Sequence, residues 1–172
     1  MRVHGHRDCS QRITSGRGLF DNLRNFATAV GYQTFHEQSD YPPGTFATAW
    51  GVADEFIFDA TLERQLQAKR KGERLFATIL SVSNHKPFLV PPGRVGKPGE
   101  RNRHVAVRYA DWALGWWLAR LRARDLLSDT AVLVVGDHGA RVYGSERIPI
   151  RSYRIPALFL LPDAALRGRR LD

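Results

Sequence analysis

An apolar run that stops at an acidic and an imidazole side chain is the part of this sequence best equipped for chemistry: AVLVVGDHGAR, residues 131–141. Val132, Leu133, Val134 and Val135 form a short β-branched-rich run, which predicts a buried parallel strand. Asp137 and His138 then emerge at its carboxyl end, the side of an open α/β sheet where ligand crevices lie. A carboxylate oxygen beside an imidazole nitrogen suits zinc or manganese, so the two residues amount to half of a metal site. The plainer alternative is an aspartate capping a turn. Arg141, four residues after Asp137, can pair with an anionic substrate or with a nearby acidic side chain. His85 follows the same logic, because the run LFATILSV at 75–82 predicts a second buried strand leading directly into Ser83, Asn84 and His85. Its imidazole can donate to a phosphoryl oxygen or act as general acid toward a leaving alkoxide, or it can simply bond a loop carbonyl.

The elements that must position these groups follow from periodicity and breakers. A helix capped at Asp21 or Asn22 is expected to run through Phe26 and Ala29 to about Val30 and to stop at Gly31. A short strand at 32–36 follows, and SDYPPGT at 39–45 is a breaker-rich loop. Ala53 to about Lys69 predicts a second helix, with acidic residues early and Lys69, Arg70 and Lys71 at its basic end. PPGRVGKPGE at 91–100 is a loop. Arg103 to Asp125 is a long amphipathic helix whose apolar face carries Val105, Tyr109, Trp112, Ala113, Trp116, Trp117 and Leu121. Aromatics at this spacing are read as core packing, and His104 and Asp111 as part of the solvated flank. A third strand is expected at Ile155–Leu161. Strand, helix, strand predicts a right-handed parallel crossover, which sets His85 and Asp137 on the same edge of one sheet. Residues 1–17 show little periodicity and are expected to be a weakly ordered leading segment, with one domain over 18–172. His4, His6 and Cys9 receive no role.

The 172 residues suffice for one core, and the formal charge of +9 is carried mostly by arginine, whose planar fork matches phosphate and sulfate oxygens. Anionic partners are favoured, although an arginine-rich solvated surface gives the same composition. With Cys9 as the only cysteine, an internal disulfide and a thiolate cluster are both excluded. The sequence contains neither a secretion signal nor a membrane span. Without an aromatic recognition motif or helix-turn-helix pattern, nucleic acid is not an expected partner.

SNHKPF (83–88), RHVAVRYADWALGWWLARL (103–121), VVGDHGARVYG (134–144) and IPALFLLP (155–162) occur in one order, with FDNLRNF (20–26) and WGVADEFIFD (50–59) ahead of them. Together they resemble the catalytic domain of the lipoteichoic acid synthase and phosphoglycerol transferase branch of the sulfatase/alkaline-phosphatase superfamily. The resemblance implies an α/β fold, a partial α/β/α sandwich with a mostly parallel sheet of alkaline-phosphatase type. It implies that Asp137 and His138 match two late ligands of one divalent metal, manganese first and zinc second, weakly held here. It implies that His85 contacts the transferred head group, with Asn84 and Arg141 as substrate-binding positions and Arg24 as a displaced one. Such domains act outside the cell membrane to which they are anchored, on anionic phospholipid or polyol-phosphate head groups; the oligomeric state is left open. The family's nucleophilic threonine and an acidic ligand belong upstream of anything in this sequence, so the expectation is a truncated domain with little activity of its own. The alternative is an inactive remnant or a noncatalytic anion-binding module built on Arg141, Arg147, Arg151 and Arg154.

Overall fold

Strand β1, Asp8–Thr14, is the centre of an all-parallel three-stranded sheet, lying between β2, Thr34–His36, and β5, Arg74–Leu80. This computed structural model describes residues 8–138 and 154–162, and the chain divides into two compact units, 1–120 and 121–172. The central position of β1 corrects the expectation of a weakly ordered segment over 1–17, of which residues 1–7 lie outside the described residues. DCSQRIT carries too few apolar side chains to announce a strand; it is held by pairing on both sides and by bonds from Ser10 and from Ser15 just past its end, while Gln11 Oε1 and Arg12 Nε are buried without a hydrogen-bond partner. The Ser10 amide donates to Gln33 Oε1 at 2.9 Å, its hydroxyl donates to the Gly31 carbonyl at 3.2 Å, and the Ser15 hydroxyl donates to the Leu80 carbonyl at 3.2 Å.

Helix α1, Leu23–Ala29, starts at Asn22 and is followed by Gly31 at φ 93°, as the breakers predict. Asn22 is left-handed and its side chain makes no cap; it accepts a hydrogen bond from Asn25 Nδ2 at 2.6 Å. Two short strands, β3 (Ala47–Thr48) and β4 (Gly51–Val52), form a tight hairpin ahead of helix α2, Asp54–Lys71. Helix α2 packs on β1 and β5, burying Ile57, Phe58 and Leu62, and ends at Gly72 in the left-handed conformation. Ile13, Val52 and Ile57 are the centre of this core, with Tyr41, Phe56 and Ile79 against it. Because side chains alternate along β5, Phe76 and Thr78 face the other way from Ile79. Tyr32 meets both, stacking on Phe76 at 6.0 Å and sharing a hydrogen bond with Thr78.

Helix α3 spans Arg103–Ala123. Of the tryptophans assigned to its core face, Trp117 is buried and stacks on Phe58 at 5.2 Å. Trp112 and Trp116 are half-buried and stacked on each other, with the Arg94 guanidinium 5.4 Å from the first ring and that of Arg120 4.4 Å from the second. Arg94 also reaches from the 91–100 loop to buried Glu55, with Nε 2.8 Å from Oε2. Arg94→Met strands that carboxylate without its cation. Because Arg94 is 45% exposed on its side chain, water recovers part of the loss, and the expected destabilisation is about 1–3 kcal/mol. Urea unfolding should show it, and adding Glu55→Gln should recover part of it.

In the second unit, β6 (Val132–Val135) pairs antiparallel with β7 (Ala157–Leu160), in the register Val132↔Leu160 to Val135↔Ala157. The strand expected at 155–161 is therefore present. The parallel partner expected for β6 is replaced, among the described residues, by this antiparallel one, while β5 pairs with β1 within the first unit. An antiparallel partner requires no crossover helix, and the apolar VLVV run satisfies either pairing equally well.

Candidate active site

The segment after β5 is held from below by the first residue of α2. Asp54 is 1% exposed, and its Oδ1 accepts the amides of Val82 and Ser83, each at 3.2 Å. The Asp54 amide in turn donates to Ser83 Oγ at 3.3 Å. Burial pushes the Asp54 carboxyl above the usual aspartate range, against the downward pull of its bonds to Ser83 and Val82. The chain then turns: the His85 amide donates to the Val82 carbonyl at 3.1 Å, and the Phe88 amide to the His85 carbonyl at 2.9 Å. The result is an anchored loop with Asn84 and His85 exposed at its tip.

The His85 ring lies on the indole of Trp50, with centroids 4.0 Å apart and an interplanar angle of 20°. Trp50 Nε1 donates to the Lys86 carbonyl at 2.6 Å, and Phe20 meets the indole edge-on at 5.8 Å. Trp50 occupies the β3–β4 turn, where its amide donates to Thr48 Oγ1 at 3.1 Å. The hairpin is fixed to the end of β1 by the Val52 amide, which donates to the Ser15 carbonyl at 3.0 Å. Neither Trp50 nor Asp54 was singled out from the sequence. The only local sign was the Trp-Gly pair just ahead of a helix, where glycine allows a backbone turn that brings the indole to a strand end.

Arg24 is committed elsewhere: it pairs with Glu37 and lies over the Phe35 ring at 5.3 Å, while Glu37 also accepts the Gly18 amide. At the end of β2, His36 Nδ1 sits 2.7 Å from Arg64 and 3.8 Å from Asp40; burial and then the Arg64 charge hold its pKa below the ordinary value. Arg141, Arg147 and Arg151 lie outside the described residues, and Arg154 is exposed.

Asp137 and His138 do emerge at the carboxyl end of β6, with side chains 68% and 76% exposed. The His138 amide donates to Asp137 Oδ1 at 2.8 Å, and Nε2 lies 3.5 Å from Oδ2. His85 belongs to the first unit and this pair to the second.

The Sulfatase family profile matches residues 9–170. Phosphoglycerol transferase I of Xanthomonas euvesicatoria pv. vesicatoria is 25% identical over 130 residues, which cover 72% of this chain and 18% of that protein. Lipoteichoic acid synthase-like YvgJ of Bacillus subtilis is 25% identical over 117 residues, covering 63% of this chain and 18% of that protein. The crystal structure of an alkaline phosphatase superfamily protein from Vibrio parahaemolyticus superposes with a TM-score of 0.80 at 30% identity, covering 90% of this chain and 39% of that one. The chain thus spans under a fifth of the length of these curated relatives.

Members of this superfamily generally use a divalent metal. Asp137 and His138 have the right donor chemistry, one hard oxygen and one imidazole nitrogen. They are only two, from one turn, and no group of three or more His, Cys, Asp or Glu side chains able to hold an ion occurs among the described residues. A four- to six-coordinate ion is therefore not satisfied by the described residues alone. With its profile match over 9–170 and its parallel sheet of the same architecture, the chain belongs to the Sulfatase family, in the phosphoglycerol transferase and lipoteichoic acid synthase branch of the alkaline phosphatase superfamily.

Proposed function

We propose that this chain supplies the head-group-binding part of a phosphoglycerol-transferase-like site, working outside the cytoplasmic membrane on polyol-phosphate or related phosphate and sulfate ester head groups. In this reading the exposed His85 imidazole donates a proton or hydrogen bond to a phosphoryl oxygen or leaving alkoxide, and Asn84 assists beside it. Asp137 and His138 are two of the donors to a divalent ion, manganese before zinc, and Arg141 offers a cation to the substrate. Arg24, already paired with Glu37, serves by holding the Gly18–Glu37 corner. The observation that carries the reading is the Sulfatase match over 9–170, with relatives named phosphoglycerol transferase aligned across most of the chain. No helix among the described residues is long and apolar enough to cross a membrane.

Calorimetry with manganese and sn-glycerol phosphate tests it. The expected result is weak, roughly millimolar, metal binding that His138→Ala abolishes, together with head-group binding that His85→Gln weakens about tenfold. Absence of head-group binding in the unaltered chain overturns the reading. Binding that persists unchanged in chelator and in His138→Ala supports a metal-free anion-binding module instead. Turnover of a chromogenic phosphodiester, dependent on manganese and lost in His138→Ala, would place the complete reaction within this chain.

A further inference from the structure

We propose that Trp50 is a positioning residue for His85: its indole sets the plane of the imidazole before any ligand arrives, and so determines where the ring nitrogens are presented. The proposal rests on the reading of His85 as the head-group residue.

His85 is exposed at the tip of a loop, and an exposed histidine ordinarily samples several rotamers. One contact removes that freedom, and the group that makes it is itself held in place. The indole face covers one face of the imidazole at 4.0 Å with an interplanar angle of 20°, which fixes the ring plane. The indole is itself held, by its Nε1 bond to the Lys86 carbonyl at 2.6 Å and by the edge-on Phe20 ring at 5.8 Å. The hydrogen bond returns to the residue next to His85, so tryptophan and histidine loop are locked as one piece. Stacking occupies a ring face and leaves both imidazole nitrogens, which lie in the ring plane, available to a ligand. A ring ordered in advance loses less rotamer freedom on binding, and so binds more tightly without any new contact to the ligand.

The geometry beneath the stack is equally specific. Ser15 and Gly16 at the end of β1 press on the hairpin closely enough that a Cβ on Gly16 would lie 2.8 Å from the Trp50 carbonyl. Asp54, four residues beyond Trp50 on the same segment, grips Val82 and Ser83. One stretch of chain, 50–54, therefore holds both the base and the tip of the loop that carries His85.

Proton NMR of the full chain with isotope-labelled histidine tests the proposal, with the His85 resonances assigned by their loss in His85→Gln. In the unaltered chain the His85 ring protons are expected upfield, under the ring current of the indole, with cross-relaxation to the Trp50 ring. Trp50→Phe should keep most of that shift and bind sn-glycerol phosphate within about threefold of the original. Trp50→Leu should move His85 to the position of a free histidine and weaken the probe about tenfold. Unchanged amide resonances in the rest of the chain would show that the fold survives. If Trp50→Leu does not fold, the unaltered chain and Trp50→Phe decide the matter. His85 resonances at free-histidine positions without cross-relaxation to Trp50 overturn the proposal. So does a folded Trp50→Leu with unchanged His85 shifts and probe affinity. Failure of the unaltered chain to bind the probe counts against the head-group reading of His85, while the ring-current measurement still judges the stack.

Discussion

Gly51→Ala is expected to destabilise the first unit by about 3–5 kcal/mol, through backbone strain and the loss of hairpin docking. Gly51 has φ 143°, a conformation that residues with a Cβ rarely adopt. An added methyl would also overlap the carbonyl of Ser15 and lie 2.6 Å from the amide nitrogen of Gly16. These are backbone atoms of a buried turn, with Ser15 fully inaccessible, so no side chain can swing aside to make room. Relief requires the hairpin to withdraw from β1, which breaks the Val52 amide bond to the Ser15 carbonyl and uncovers Val52 from the core. Gly44 is the control: it also has positive φ, 86°, but nothing lies within 4 Å of its would-be Cβ. Gly44→Ala should cost only about 1 kcal/mol. Urea titrations of the two variants settle the point, and equal losses would show that the Ser15 contact has no energetic weight.

Asp54→Ala is expected to cost about 2–5 kcal/mol, because the buried amide of Ser83 and the half-buried amide of Val82 both lose their acceptor. Asp54→Asn keeps an oxygen in place and should retain most of the stability. The two side chains differ in pH dependence, and the sign follows from the raised carboxyl pKa. A folded-state pKa above the unfolded one means that the native protein holds the proton more firmly. The associated stability is complete below the unfolded aspartate value, near pH 4, and is lost as pH rises through the raised folded value. Stability of the unaltered chain relative to Asp54→Asn should therefore fall over that interval. A relative stability that instead rises there would mean that the Val82 and Ser83 bonds outweigh burial.

What the sequence disclosed, and what it hid, divides along the range of the forces involved. Helices α2 and α3 and strands β5 and β6 carry their own periodicity or β-branched runs, so a local reading found them. Strand β1 was hidden because its place is earned by neighbours on both sides rather than by apolar alternation within DCSQRIT. The hairpin strands are two residues each, too short for any period to register. The positions of His85, Asp137 and His138 at strand ends were legible, since a strand end follows from where its apolar run stops. Their supports were not. The bonds from Asp54 to Ser83 and from Trp50 to Lys86 join residues 29 and 36 apart, and no spacing rule links such pairs. The acidic start of α2 illustrates the difference: its charges suit the helix dipole when read locally, yet Asp54 and Glu55 are both buried and both bind loops. Similarly, the tryptophans of α3 share one apolar stripe in sequence, but the arginines beside Trp112 and Trp116 turn its margin into a cationic and aromatic seam.

The two carboxylates at the head of α2 grip opposite ends of one span of chain, Asp54 at Val82 and Ser83 and Glu55 at Arg94. The span between them, which carries His85, is thus suspended like a strap buckled twice to the same post. Slackening one buckle leaves the other fast, so the strap cannot swing open about a single pivot. Trp50, four residues ahead of that post, adds a third fastening at Lys86, so the whole span is tied down by one short stretch of chain, 50–55.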